Sequence, residues 1–248
     1  MNQGSQESRE NAMAREGIPP TGETPGYRVA ATVLLLRDTD EGPEVLLLQR
    51  PRGGGSFSGA WVFPGGAVDP EDRAFTTGEL DEEASARRAA LREVREETSL
   101  EVSPDALVSA ACWLPPSIAP KPYRTWFYAA RAPEGNIVLS PHEAVAHEWL
   151  RPAEALHRHA EGTFELVPPT WVMLHRIASD ATVEATLVRA AADAEQFDTH
   201  ANVSAAGLVF LWPGDIAYDD DALLETEGAR HRLDARVTPW VYTRTTDG

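Results

Sequence analysis

The segment Arg92-Glu93-Val94-Arg95-Glu96-Glu97 brings three carboxylates together over a few residues. On a helix, offsets of three and four residues place Glu93 beside Glu96 and Glu97, so the acids converge on one side. Leu91 and Val94 then face the protein interior. Crowded carboxylates repel one another, and full ionisation is costly. Magnesium or manganese reverses that cost by supplying positive charge to their oxygens. The same ion binds diphosphate oxygens, orients water and stabilises charge on a leaving phosphate. Arg92 and Arg95 either position these acids by hydrogen bonding or balance surface charge. An acidic helix by itself also fits a plain solvated face.

A glycine turn changes that balance. Phe63-Pro64-Gly65-Gly66-Ala67-Val68-Asp69 sets consecutive glycines directly after a short strand. Glycine permits tight turns and close backbone approach to a phosphate or a metal. The two features together resemble the Nudix family, whose box couples such glycines to an REUxEE helix (U is aliphatic) and a glycine-containing exit. The resemblance implies that Glu93, Glu96 and Glu97 bind Mg2+ or Mn2+. It also implies that Arg92 belongs to the catalytic set and that Gly65 and Gly66 approach substrate. One of the glutamates could instead help activate water, and the base is left unassigned. The stretch from Gly66 to Arg92 is longer than in the common box, which implies an insertion over residues 67–81 that loops outward. Counting backward from Arg92 puts the usual early glutamate at Ala84, with Glu82 and Glu83 as candidate replacements. Ser99 stands at the usual exit glycine, where a side-chain cap or a weakened turn is expected.

Several elements must hold these residues in place. Residues 28–36 and 45–49 are rich in aliphatic and β-branched side chains, and the turn chemistry of residues 38–43 predicts a hairpin. Residues 50–56 read as a flexible connection and residues 60–63 as a short strand. Helical spacing runs from Glu82 to about Thr98, with Ala86, Ala90, Leu91, Val94 and Thr98 on one face. Residues 106–114, 123–130 and 145–150 read as strands. Helices are predicted from Pro152 through His159, over 170–178 and over about 182–195, with an extended stretch at 207–211. The expected fold is α/β or α+β: a mixed-sheet sandwich with helices and an additional C-terminal helical region. The expected organisation is a flexible tail at 1–26 and one Nudix domain at 27–248, comprising the 67–81 insertion and a C-terminal extension.

A narrower likeness extends outside the box. Leu46-Leu47-Leu48-Gln49-Arg50, Trp61 through Asp72, Trp113-Leu114-Pro115-Pro116, Arg124-Thr125-Trp126-Phe127-Tyr128 and Pro168-Pro169-Thr170 resemble the coenzyme A diphosphatase branch and its longer peroxisomal-type relatives. It implies hydrolysis of coenzyme A or an acyl derivative to adenosine 3′,5′-bisphosphate and a 4′-phosphopantetheine species. Arg50 and Arg52 are then candidates for an extra phosphate, with an ordinary surface role as the other reading. The alternatives are a dinucleotide or nucleotide-sugar hydrolase and a catalytically silent ligand-binding domain. Trp113 and Trp126 read first as core packing. The seven histidines, His142 and His147 included, read as local hydrogen bonders or surface groups and define no zinc centre.

Composition sets the outer limits. The formal net charge is -17, from 22 Lys plus Arg against 39 Asp plus Glu. Such a surface opposes nucleic-acid backbones, so a nucleotide-containing small molecule is the expected partner. Lone Cys112 gives no disulfide framework and lies in an apolar run, as a buried structural thiol would. No apolar run is long enough to span a bilayer. The expected location is the cytoplasm and the expected assembly a homodimer, with no nucleic-acid or membrane partner.

Overall fold

A computed structural model describes residues 27–53, 57–119 and 122–245. The tail expected over 1–26, and part of the connection expected over 50–56, lie outside the described residues. Strands β1 (Arg28–Thr39) and β2 (Gly42–Gln49) form the predicted antiparallel hairpin, with Thr39 opposite Gly42. Short strands β3 (Trp61–Val62) and β4 (Gly65–Ala67) follow. A hairpin of β5 (Ala74–Thr76) and β6 (Glu79–Asp81) then leads into helix α1 (Glu82–Thr98). Next come β7 (Val108–Leu114), β8 (Tyr123–Arg131), β9 (Ala146–Leu150), α2 (Pro152–Ala160), α3 (Pro168–Ile177) and α4 (Val183–Ala192).

The main sheet runs β10–β7–β8–β1–β2–β3, where β10 is Glu195–Asp198; β4 pairs with β1 and β9 with β2. It is mixed: β1 pairs parallel with β8 along its length and antiparallel with β2. Both faces are covered, so the central strands are nearly continuous in apolar residues and their alternation decides which layer each side chain joins. Val33, Leu35, Leu46, Leu48, Trp126 and Tyr128 pack under α1 through Ala86, Ala89, Ala90 and Val94. Their neighbours Leu34, Leu36, Val45, Leu47, Phe127 and Ala129 pack with Trp171, Leu174 and Val183 of α3 and α4. Cys112 is buried on the α1 side, and burial pushes its thiol up to about 12, as expected of a structural thiol.

The C-terminal extension carries the expected helices α3 and α4 and the expected extended stretch at 207–211, and adds further strands to them. The predicted helix over about 182–195 ends at Ala192, and β10 then adds to the main sheet beside β7. The chain continues as a four-stranded antiparallel sheet of β11 (His200–Ser204), β12 (Gly207–Leu211), β13 (His231–Asp234) and β14 (Val241–Arg244). Its Trp212 meets Trp113 edge-on at 5.4 Å, and Phe197 of β10 stacks on Trp113 at 4.5 Å. Trp113 is therefore core, as is Trp126 beneath α1.

Strand β1 forks on one side. Residues Ala30–Thr32 pair with β4, whereas Leu36–Thr39 pair with β2. At the fork the Val33 N–H donates to Pro64 O at 2.9 Å, and the Thr32 hydroxyl donates to the same oxygen at 2.8 Å. The diglycine is thus held against the middle of the sheet, where the last turns of α1 arrive.

Candidate active site

Helix α1 is stopped at both ends by local chemistry. The Asp81 side chain accepts from Ala84 N–H at 2.9 Å, and Glu82 and Glu83 place negative charge in the first turn. Both features stabilise a helix N-terminus. At the other end Ser99 adopts the left-handed conformation, φ 61, and its N–H bonds Arg95 O. Ser99 therefore makes the turn normally left to glycine. Its hydroxyl donates at 3.3 Å to Val138 O, in the neighbouring loop, so the anticipated side-chain cap is directed away from the helix.

The three sequence-predicted acids do not share one environment. Glu93 and Glu97 are buried, whereas Glu96 lies at the exposed rim. Glu97 accepts from the Gly65 N–H at 2.8 Å. Glu93 lies so close to Gly66 that a side chain at position 66 would run into its carboxylate. A side chain on Gly65 would strike the β1 backbone at Ala31 and Thr32. The glycines are thus required by close approach, first of strand β4 to β1 and then of Glu93 to the turn.

Arg92 holds this arrangement. Its guanidinium donates to Asp72 at 2.9 Å, Glu93 at 2.9 Å, Glu96 at 3.0 Å and Ala67 O at 3.0 Å. Hydrogen bonding to Asp72 raises its pKa further, so the cation is permanent. Burial raises the Glu93 carboxyl, against the opposing pull of Arg92. Burial also pushes Glu97 up to about 8; the Gly65 N–H lowers it, Glu93 and Glu143 raise it, and Arg50 lowers it.

Two acids here were not singled out from the sequence. Asp72 is buried and grips Arg92. Glu82 and Glu83 do not grip it, since Glu82 pairs with Arg124 and Trp126, and Glu83 with Arg87 and Ser109. Backward counting from Arg92 crosses the insertion and lands on Ala84; a count anchored on the glycine turn reaches Asp72 before the β5–β6 hairpin. Glu143 comes from the loop before β9, and its charge bears on both Glu93 and Glu97. That loop is tied to the end of α1 through Val138 N–H to Thr98 O and Ser140 N–H to Glu97 O. No local pattern around Glu143 reveals this.

Arg50 is half-buried and within electrostatic reach of Glu97. Arg52 is exposed and folds back over Gly59 in its own loop. Neither His142 nor His147 is buried.

The chemistry of the donor set fits a hard divalent cation. Glu93 and Glu97 are oxygen donors, their burial disfavours full ionisation, and each keeps lone pairs beyond those its hydrogen bonds use. Arg92 competes for Glu93 and Glu96, and among the described residues no three His, Cys, Asp or Glu side chains stand as a ready-made cage.

The family model of the NUDIX domain matches residues 26–169. The chain belongs to the Nudix family. Its members generally carry out metal-dependent hydrolysis of nucleoside diphosphate derivatives, and the chain is accordingly a Nudix-type diphosphatase or pyrophosphohydrolase. No curated protein matches it. Among solved structures, a NUDIX hydrolase from Alicyclobacillus acidocaldarius is 22% identical with a TM-score of 0.58, covering 66% of this chain and 97% of that one. The NUDIX domain of Shewanella oneidensis NrtR, complexed with ADP ribose, is 18% identical with a TM-score of 0.46, covering 71% of this chain and 96% of that one. At 22% identity the likeness to the Alicyclobacillus structure is one of fold alone. Among the described residues no helix is long and apolar enough to cross a membrane.

Proposed function

We propose that this Nudix chain hydrolyses the diphosphate of coenzyme A or an acyl-coenzyme A, releasing adenosine 3′,5′-bisphosphate and a 4′-phosphopantetheine species. The observation that carries the hydrolytic part is the buried Glu93–Glu97 pair set against the Gly65–Gly66 turn. The choice of coenzyme A rests on the flanking segments of the narrower likeness, Leu46 to Arg50 and Trp61 to Asp72 among them. Glu93 and Glu97, with Glu96 at the rim, would hold Mg2+ or Mn2+. When bound, such an ion supplies positive charge to the diphosphate oxygens and lowers the pKa of a coordinated water. Arg92 orients Glu93, and the Gly65 N–H orients Glu97. Arg50 supplies a cation near the buried acids, suited to a phosphate oxygen; Arg52, facing its own loop, is the weaker candidate.

The test is mass-resolved product analysis of the purified chain with Mg2+ or Mn2+, offered coenzyme A, acyl-coenzyme A, dinucleotides, nucleotide sugars and nucleoside triphosphates. Selective release of adenosine 3′,5′-bisphosphate is expected. Selective cleavage of a dinucleotide or nucleotide sugar would reject the substrate and keep the chemistry. No cleavage of any compound would favour a silent ligand-binding domain. Light scattering on the same sample tests the homodimer expected from the family, and cytoplasmic residence is the accompanying proposal.

A further inference from the structure

Glu82 is the first residue of α1, yet its carboxylate is almost fully buried. It accepts from Trp126 Nε1 at 2.9 Å and from Arg124 Nη1 at 3.3 Å. Arg124 is buried too, its ion pair is long, and its Nε has no hydrogen-bond partner. Two residues further along the same strand face, the Tyr128 hydroxyl donates to Glu83 O at 3.2 Å. Alternate residues of β8 thus direct three polar tips at the first turn of α1. Such a buried pair is a poor source of stability, because the desolvation of both charges offsets their attraction. A buried polar group can instead select one arrangement among several of similar packing energy.

The catalytic helix needs such a selector. Its middle contacts the sheet through Ala86, Ala89 and Ala90, small side chains that key weakly into their neighbours. The β5–β6 hairpin that precedes it holds the first turn through Asp81, which accepts from Ala84 N–H, and Ser85, which accepts from Ala74 N–H, but these contacts tie the helix to the insertion and not to the main sheet. A slip by one residue would turn the helix by about 100° and shift it by about 1.5 Å. Glu93 and Glu97 would then leave the diglycine. We propose that Glu82, Arg124 and Trp126 form a positioning pin that sets the register of α1, and through it the placement of Glu93 and Glu97. The proposal rests on the Nudix reading of those two acids.

The experiment compares wild type, the double variant Glu82→Leu/Arg124→Met, Trp126→Phe and Glu97→Gln. Readouts are thermal melting, Mn2+ titration followed by electron paramagnetic resonance, and backbone hydrogen exchange across residues 93–97. The double variant is expected to melt at or above the wild-type temperature, to bind Mn2+ at least about tenfold more weakly, and to exchange faster at 93–97. Trp126→Phe, which removes one donor and keeps the ring, should show a smaller change of the same kind. Unchanged Mn2+ affinity and exchange in the double variant would overturn the pin. A lowered melting temperature that accounts for both losses would also overturn it, leaving an ordinary stability contact. If Glu97→Gln binds Mn2+ as wild type does, the metal assignment fails separately, and exchange at 93–97 alone then decides the pin.

Discussion

Glu93, Glu96 and Glu97 are equivalent in sequence spacing but unequal in the fold. Glu97 is buried and hydrogen-bonded to Gly65 N–H, whereas Glu96 is exposed and leans on Arg92. Glu97→Gln is expected to lower kcat/KM on the order of 10²-fold with the fold intact. Glu96→Gln should impair turnover and metal binding by a smaller factor. Steady-state kinetics with circular dichroism as a folding control checks the order, and equal losses would contradict it. Gly66→Ala tests the close approach. The added methyl would meet the Glu93 carboxylate, so Glu93 or strand β4 must move. Overpacking of this kind costs about 1–3 kcal/mol. Denaturant unfolding should show that loss together with impaired turnover; a stable, fully active variant would mean that Glu93 is free to swing away.

Helix α1, its exit and the insertion before it form the next scale. Replacing the Asp72 carboxylate by a neutral amide weakens its charge-assisted hydrogen bonds to the partly buried Arg92 guanidinium, a loss of roughly 1 kcal/mol. Asp72→Asn should therefore lower the unfolding midpoint and reduce kcat, because Arg92 also orients Glu93. Asp69→Asn should change little, since Asp69 is half-exposed and 3.8 Å from Arg92. At the exit, Ser99 pays for a left-handed φ of 61 that glycine adopts without strain. Ser99→Gly should stabilise the chain by roughly 0.5–1 kcal/mol, read from chemical denaturation, with activity retained. The helix bounds were legible in the sequence through the spacing of Ala86, Ala90, Leu91, Val94 and Thr98 on one face. The partner of Arg92 was not, because counting along one helix cannot cross an insertion of unknown length.

Across the whole molecule, the C-terminal sheet completes the core that covers Trp113. Asp215 secures that region: it accepts from Arg232 Nε at 2.7 Å and from His231 and Ala217 N–H groups at 2.9 Å. Burial pushes its carboxyl up, but Arg232 and the two N–H groups together hold it below its ordinary value of 3.8. A carboxylate lowered on folding contributes stability above its unfolded pKa and loses that contribution as pH falls through the folded one. Melting temperature should therefore drop as pH falls below about 4, and Asp215→Asn should flatten that drop while lowering stability at neutral pH. An unchanged acid limb in the variant would place the sensitivity elsewhere.

The sequence by itself determined the acidic helix, its diglycine turn, the β1–β2 hairpin and the family, because each is written in residues close along the chain. Periodicity, capping and glycine placement act over a few residues and need no tertiary partner to be read. Only the tertiary structure decided that β1 forks around Pro64, that Asp72 grips Arg92, and that Glu143 comes near Glu93 and Glu97. It also followed the expected helices with β10 and built a four-stranded sheet around the extended stretch at 207–211. Those short strands owe their state to partners far away in the chain, Phe197 and Trp212 against Trp113 above all. Strand pairing depends on which edge and which face are available, and local propensity carries neither.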